Sequence, residues 1–137
     1  MDFYLDTNIL IEFLRGRLPG IRDFLEKRDP SRFKVPSVVY AELLHGAKKS
    51  RNPQKNRALV ERIVEPYEIV PFDSSCALAY ANTRAYLECE GQIIDPNDLM
   101  IAAIVLTHGG ILVTRNAKEL SRVPGLELEE WYEQRLG

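Results

Sequence analysis

Residues 3–14 read Phe3-Tyr4-Leu5-Asp6-Thr7-Asn8-Ile9-Leu10-Ile11-Glu12-Phe13-Leu14, and the change of pattern inside that stretch decides the fold. Phe3-Tyr4-Leu5 is a short apolar run of strand type, whereas Ile9, Leu10, Phe13 and Leu14 recur at helical spacing. A strand over 3–5 and a helix over 7–15, closed by Gly16, are therefore expected, with Asp6 at their junction.

The same alternation continues down the chain. It predicts a helix over 21–27, a turn at Asp29-Pro30-Ser31, a strand over 33–35 and a helix over 37–49 capped by Ser37. Residues 53–63 read as helix, 68–70 as a third strand and 73–90 as a further helix. Asp95 caps the next helix, with Pro96 at its first position, where a missing N–H costs nothing. Residues 111–114 make a fourth strand, and an apolar piece near Leu126 and a turn carrying Trp131 follow. No repeat, low-complexity tract or linker interrupts residues 1–137, which read as one domain. Strands alternating with helices call for a parallel sheet covered on both faces.

Composition narrows the class. A hydrophobic content of 45% with 28% charged residues is ordinary for a soluble globular protein. The longest apolar run, residues 99–106, is too short to span a bilayer, and no basic leader precedes Phe3. Cys76 and Cys89 share one expected helix at a spacing that forbids a bond, so two reduced thiols in the cytoplasm are expected. A formal charge of −2 offers no global field for nucleic acid. Local cations remain available in Lys48, Lys49, Arg51, Lys55 and Arg57, and in Arg15 with Arg17, although each alone reads as solvated surface.

Three acids interrupt apolar segments: Asp6, Glu42 in Tyr40-Ala41-Glu42-Leu43, and Asp98 ahead of Leu99-Met100-Ile101-Ala102-Ala103. Burying a carboxylate is costly without a compensating cation, proton or donor. In a parallel sheet the strand ends and helix starts share one edge, where ligands bind. Asp6, Glu42, Asp98, Asn116 and Glu119 all map to that edge. At about 100° per residue Glu42 falls between Val38 and Val39, within the apolar arc of its helix. Each acid has a plainer use as well: Asp6 and Asp98 suit helix N-termini, and Glu42 suits a buried pair with arginine. Thr7 and Thr114, each just past a strand, suit either a carboxylate, a substrate phosphate or a simple turn.

Two carboxylates about 5 Å apart repel by about 3 kcal/mol at an effective dielectric near 20. Mg²⁺ or Mn²⁺ removes that repulsion through oxygen ligands, and His45 and His108 lack zinc spacing. Asp6 and Asp98 are the expected principal ligands, with Glu42 holding a second ion or orienting a water. Metal-assisted phosphodiester hydrolysis is the chemistry that follows.

Taken together, Leu5-Asp6-Thr7-Asn8, Ala41-Glu42-Leu43 with Gly46-Ala47, Pro96-Asn97-Asp98, Val113-Thr114-Arg115-Asn116 and Arg122-Val123-Pro124-Gly125-Leu126 resemble a PIN-domain ribonuclease of the VapC toxin family. The resemblance implies a three-layer α/β/α sandwich with a central parallel sheet of four to five strands. It also implies a Mg²⁺- or Mn²⁺-dependent endoribonuclease acting on structured RNA such as transfer RNA. The enzyme would be a homodimer restrained by a VapB-like antitoxin. Acids of the family match Asp6, Glu42 and Asp98. A fourth is replaced here by Asn116, which brings an amide without charge, and Glu119 stands one helical turn onward to supply the carboxylate.

Two other readings compete. An aspartyl-phosphate phosphatase would use Asp6 as nucleophile, but such enzymes want an acid where Asn8 stands. A binding module that keeps the fold with weakened catalysis is favoured by Asn116 and opposed by the complete set of Asp6, Glu42 and Asp98.

Overall fold

A computed structural model describes residues 1–16 and 19–131, so Arg17 and the residues after Trp131 lie outside it. Five strands occur among the described residues, β1 (Phe3–Leu5), β2 (Phe33–Pro36), β3 (Glu68–Val70), β4 (Ile111–Thr114) and β5 (Glu127–Glu130). Interspersed among the same residues are seven α-helices: α1 (Thr7–Leu14), α2 (Pro19–Glu26), α3 (Ser37–Lys48), α4 (Pro53–Val64), α5 (Ser74–Cys89), α6 (Pro96–His108) and α7 (Ala117–Leu120). The sheet order is β3-β2-β1-β4-β5, and every pairing is parallel. Helices complete a three-layer α/β/α sandwich, as expected for strands buried on both faces.

That order creates one switch point. From β1 the chain winds outward through β2 and β3, then returns to place β4 on the other side of β1. Crevices open at the carboxyl ends of strands where winding reverses. Here the crevice lies past Leu5 and Thr114, and the Asp6 N–H still bonds the Val113 carbonyl at 3.0 Å.

Helix α6 shows why the acids stand out. Leu99 and Ile101 through Val105 are all buried, so the helix is apolar nearly all round and belongs to the interior. Asp95 caps its start by accepting from the Asn97 and Asp98 N–H groups. Gly109 ends it in the left-handed region at φ 73°, which a side chain would disfavour. Gly110 then enters β4 against the Asp2 carbonyl and the Tyr4 ring, with no room for a Cβ.

Some expectations fail. Ser37 does not cap α3: it is the first helical residue, and its hydroxyl accepts from the Phe72 N–H instead. A short 3₁₀ turn over Pro30–Arg32, capped by Asp29, stands where a plain turn is expected. The apolar piece near Leu126 continues into β5, whose residues Glu127–Glu130 carry little strand propensity and gain order by pairing with β4. The expected final turn runs past Trp131 into residues outside those described; Trp131 itself is fully buried and packs edge-on against Phe24 with centroids 4.4 Å apart. Phe3 and Phe33 complete that aromatic cluster. Cys76 and Cys89 are free thiols at opposite ends of α5. No described helix is long and apolar enough to cross a membrane.

Candidate active site

Asp6 leaves β1 in extended conformation and N-caps α1, its Oδ1 accepting from the Thr7 N–H at 2.8 Å. Its Oδ2 accepts from the Thr114 hydroxyl at 2.6 Å, across the crevice between β1 and β4. The Thr114 oxygen in turn accepts from the Asn116 N–H at 2.9 Å. The Asn116 amide Nδ2 donates to Asp98 Oδ2 at 3.3 Å. On the other side of Asp6, the Thr7 hydroxyl donates to Glu42 Oε1 at 2.8 Å. One hydrogen-bonded chain thus links Glu42, Thr7, Asp6, Thr114, Asn116 and Asp98, drawn from α3, α1, β4 and α6.

Asp6 is 4% exposed and Thr114 fully buried, so the centre of the chain is dry. Asp98, Glu42, Thr7 and Asn116 are half-buried and line its open side. Glu42 therefore sits at the rim of the buried stripe of Val39, Leu43 and Ala47, not inside it. The angular reading placed it too deep because a parallel helix face is only partly covered at a sheet edge. Its hydroxyl partner is Thr7, and no ion pair among the described residues involves Asp6, Glu42 or Asp98. The plainer readings are partly realised: Asp6 does cap α1, and Asp98 does lie in the first turn of α6. Glu119 lies on α7, outside the hydrogen-bonded chain described above, and its charge acts on Asp98.

Electrostatics reveal an unneutralised site. Burial pushes the Asp98 carboxyl up to about 6, and the charges of Asp6, Asp95, Glu42 and Glu119 add to the rise. Burial also raises Asp6, while the Thr114 hydroxyl and the Thr7 N–H hold it down. A helix N-terminus ordinarily favours a carboxylate, so the rise at Asp98 means that repulsion and desolvation prevail.

The donor set suits a hard divalent ion: carboxylates and hydroxyls with no histidine or thiol among them. Among the described residues, no group of three or more acidic, histidine or cysteine side chains is placed to hold a metal ion. Mg²⁺ usually keeps several waters and takes one or two carboxylates, so Asp6 and Asp98 would be the residues to hold it without a third acid. Asn116 turns its amide N–H toward Asp98, so its carbonyl oxygen is the end facing elsewhere.

Beside Glu42 a groove of about 320 Å³ runs between α1, α3 and α4, lined by Ile11, Leu14, Leu43 and Leu59, with Arg15 at its edge. A feature absent from the sequence reading is the pair of ties between α1 and the turn after β4. The Arg115 N–H donates to Asn8 Oδ1 at 3.1 Å, and its guanidinium lies 3.6 Å from Glu12. Asn8 thus serves a structural bond rather than the acid role a phosphatase needs. The available signal was position, since Arg115 stands between two residues already assigned to the site. The lysine and arginine cluster at 48–57 is exposed, with Arg57 paired to Glu61.

Residues 3–126 match the PIN domain family. The tRNA(fMet)-specific endonuclease VapC of Salmonella typhimurium is 34% identical over 131 residues, spanning 96% of this chain and 98% of that protein. Ribonuclease VapC2 of Rickettsia felis is 34% identical over 132 residues, with the same coverage. Among solved structures, DNA-bound VapBC from Salmonella typhimurium aligns with a TM-score of 0.91 at 33% identity, covering 96% of this chain and 99% of its own. VapBC2 from Rickettsia felis, bound to a promoter fragment, aligns with a TM-score of 0.90 at 33% identity, covering 96% and 100%.

Proposed function

This chain belongs to the PIN domain family, and from that premise we propose that it is a metal-dependent endoribonuclease, the toxin of a toxin–antitoxin pair. The observation that carries the reading is the acidic pocket at the switch point, where Asp6 and Asp98 make no ion pair among the described residues. Names of relatives at 34% identity over nearly the whole chain support an RNA substrate, and the Salmonella protein supports transfer RNA in particular.

Asp6 and Asp98 would hold Mg²⁺ or Mn²⁺, with Glu42 at the open side. When bound, such an ion would lower the pKa of a water and offset charge on the phosphate. Thr114 fixes the rotamer of Asp6, and Thr7 fixes Glu42 through one hydroxyl each. Glu42, half-buried at the rim, is placed to orient an attacking water. Asn116 steers Asp98, and Glu119 adds negative charge from α7.

The relatives were crystallised as VapBC complexes, which supports a VapB-like antitoxin as partner here. The groove beside Glu42 offers such a partner apolar surface together with direct access to the site. Exposed Leu78, Tyr86 and Ile93 support a homodimer built on α5 and the segment after it.

Incubating the protein with total RNA, with and without Mg²⁺, tests the reading alongside Asp6→Asn and Asp98→Asn. Cleavage is expected only with metal and only in the wild type. Cleavage persisting in chelator, or in both variants, would defeat the mechanism. RNA binding without cleavage would favour the weakened module that the uncharged Asn116 suggests. Growth arrest on expression, relieved by the neighbouring small reading frame, tests the toxin role.

A further inference from the structure

We propose that Arg115 is a phosphate-binding residue that positions the RNA strand beside the acidic pocket, an inference that rests on the RNA-cleaving role above. Arg115 follows buried Thr114 and precedes Asn116, so it rises from the rim of the crevice between β1 and β4. Its backbone is fixed by Asn8 and its guanidinium is steadied by Glu12. Both anchors lie on α1, the helix that Asp6 caps, which sets the position of Arg115 relative to Asp6.

The steadying contact leaves the guanidinium in play. At 3.6 Å the Glu12 contact is an ion pair longer than a hydrogen bond, and the Arg115 side chain remains 42% exposed. A guanidinium has five N–H donors in a planar fork that matches phosphate oxygens. Need points the same way. Asp6, Asp95, Asp98, Glu42 and Glu119 gather negative charge around one pocket, and a polyanion approaching it is repelled. A fixed cation at the lip lets the flanking phosphate settle while the scissile one enters. Arg57 and Lys34 are engaged by Glu61 and Glu68, and neither pair lies in the site's hydrogen-bonded chain.

The test uses fluorescein-labelled total transfer RNA and has two arms. In chelator, anisotropy titrations over a salt series compare wild type, Arg115→Ala and Arg115→Lys. Arg115→Ala is expected to weaken binding about five- to tenfold and to flatten the dependence of log K on log salt by about one, the signature of one lost phosphate contact. Arg115→Lys should restore the slope and part of the affinity, because it keeps charge without the fork. With Mg²⁺ present, Arg115→Ala should raise KM by a similar factor and leave kcat within about twofold. Thermal melts confirm that the variants fold, and Arg115→Gln stands in should alanine unfold the protein.

Unchanged affinity and slope in Arg115→Ala would overturn the assignment, as would a fall in kcat with KM unaltered. Wild-type protein that binds through Arg115 yet never cuts RNA would defeat the nuclease reading and leave this contact standing. Wild-type protein that cuts RNA while Arg115→Ala matches it would defeat the contact alone. Wild-type protein that does not bind the RNA would defeat both.

Discussion

Replacing Asp98 with asparagine should stabilise the metal-free protein at alkaline pH and leave it unchanged in acid. In the folded state burial, with neighbouring carboxylates behind it, lifts this carboxyl from 3.8 to about 6. A raised acid pKa means that the fold prefers the protonated form. The penalty is therefore absent below about pH 4 and is complete once pH has risen past about 6. The whole shift corresponds to about 3 kcal/mol. Asp98 is only half-buried, and solvent screening trims this to about 1–2 kcal/mol. Against it stands the attraction between an acid and the N-terminus of α6, about 0.3–1 kcal/mol, which asparagine forfeits. Asparagine retains an oxygen for the Asn116 amide, so that bond survives. A net gain of about 1 kcal/mol remains, or about 3–5 °C in Tm for a chain of this length. Thermal melts in chelator at about pH 8 and about pH 4 measure the difference between variant and wild type. A gain equal at both pH values, or a variant less stable at the higher one, would refute the picture of an acid held against repulsion.

Thr114→Val should cost about 1–3 kcal/mol by leaving buried Asp6 without its hydroxyl donor, a loss larger at about pH 8 than at about pH 4 and readable by urea titration. Trp131→Ala should cost about 3–5 kcal/mol, since the indole is fully buried against Phe24 and Phe33, and a guanidinium midpoint near that of wild type would contradict its place in the core. Gly110→Ala should lower Tm by forcing its Cβ toward Tyr4 Cε1 at 2.5 Å and the Asp2 carbonyl at 2.7 Å, costing about 1–3 kcal/mol, while Gly46→Ala, with open space around it, should not.

How much of this was legible in the residues varies with what holds each part. Four strands and the long helices could be read because their apolar periods agree with their burial, as in α6. The convergence of Asp6, Glu42, Asp98 and Asn116 followed from topology alone, since parallel strands deliver their ends to one edge. β5 resisted because Glu127–Glu130 has no apolar alternation and is ordered by its neighbour. The depth of Glu42 was misjudged because helical angles say which way a residue faces, not how far its neighbours reach. Hydrogen bonds such as Thr7 to Glu42 leave no mark in sequence, as they depend on distances between separate elements.

The bond between Asp6 and Thr114 joins residues 108 positions apart. A ribosome releases the first of them early and the second only after most of the protein exists. Until β4 slots in beside β1, Asp6 has no partner across the crevice, and Asp98 has no Asn116 to steer it. Unfinished copies therefore carry the acids but not the pocket. The activity proposed above therefore waits on the end of translation, because it needs β4 in place beside β1.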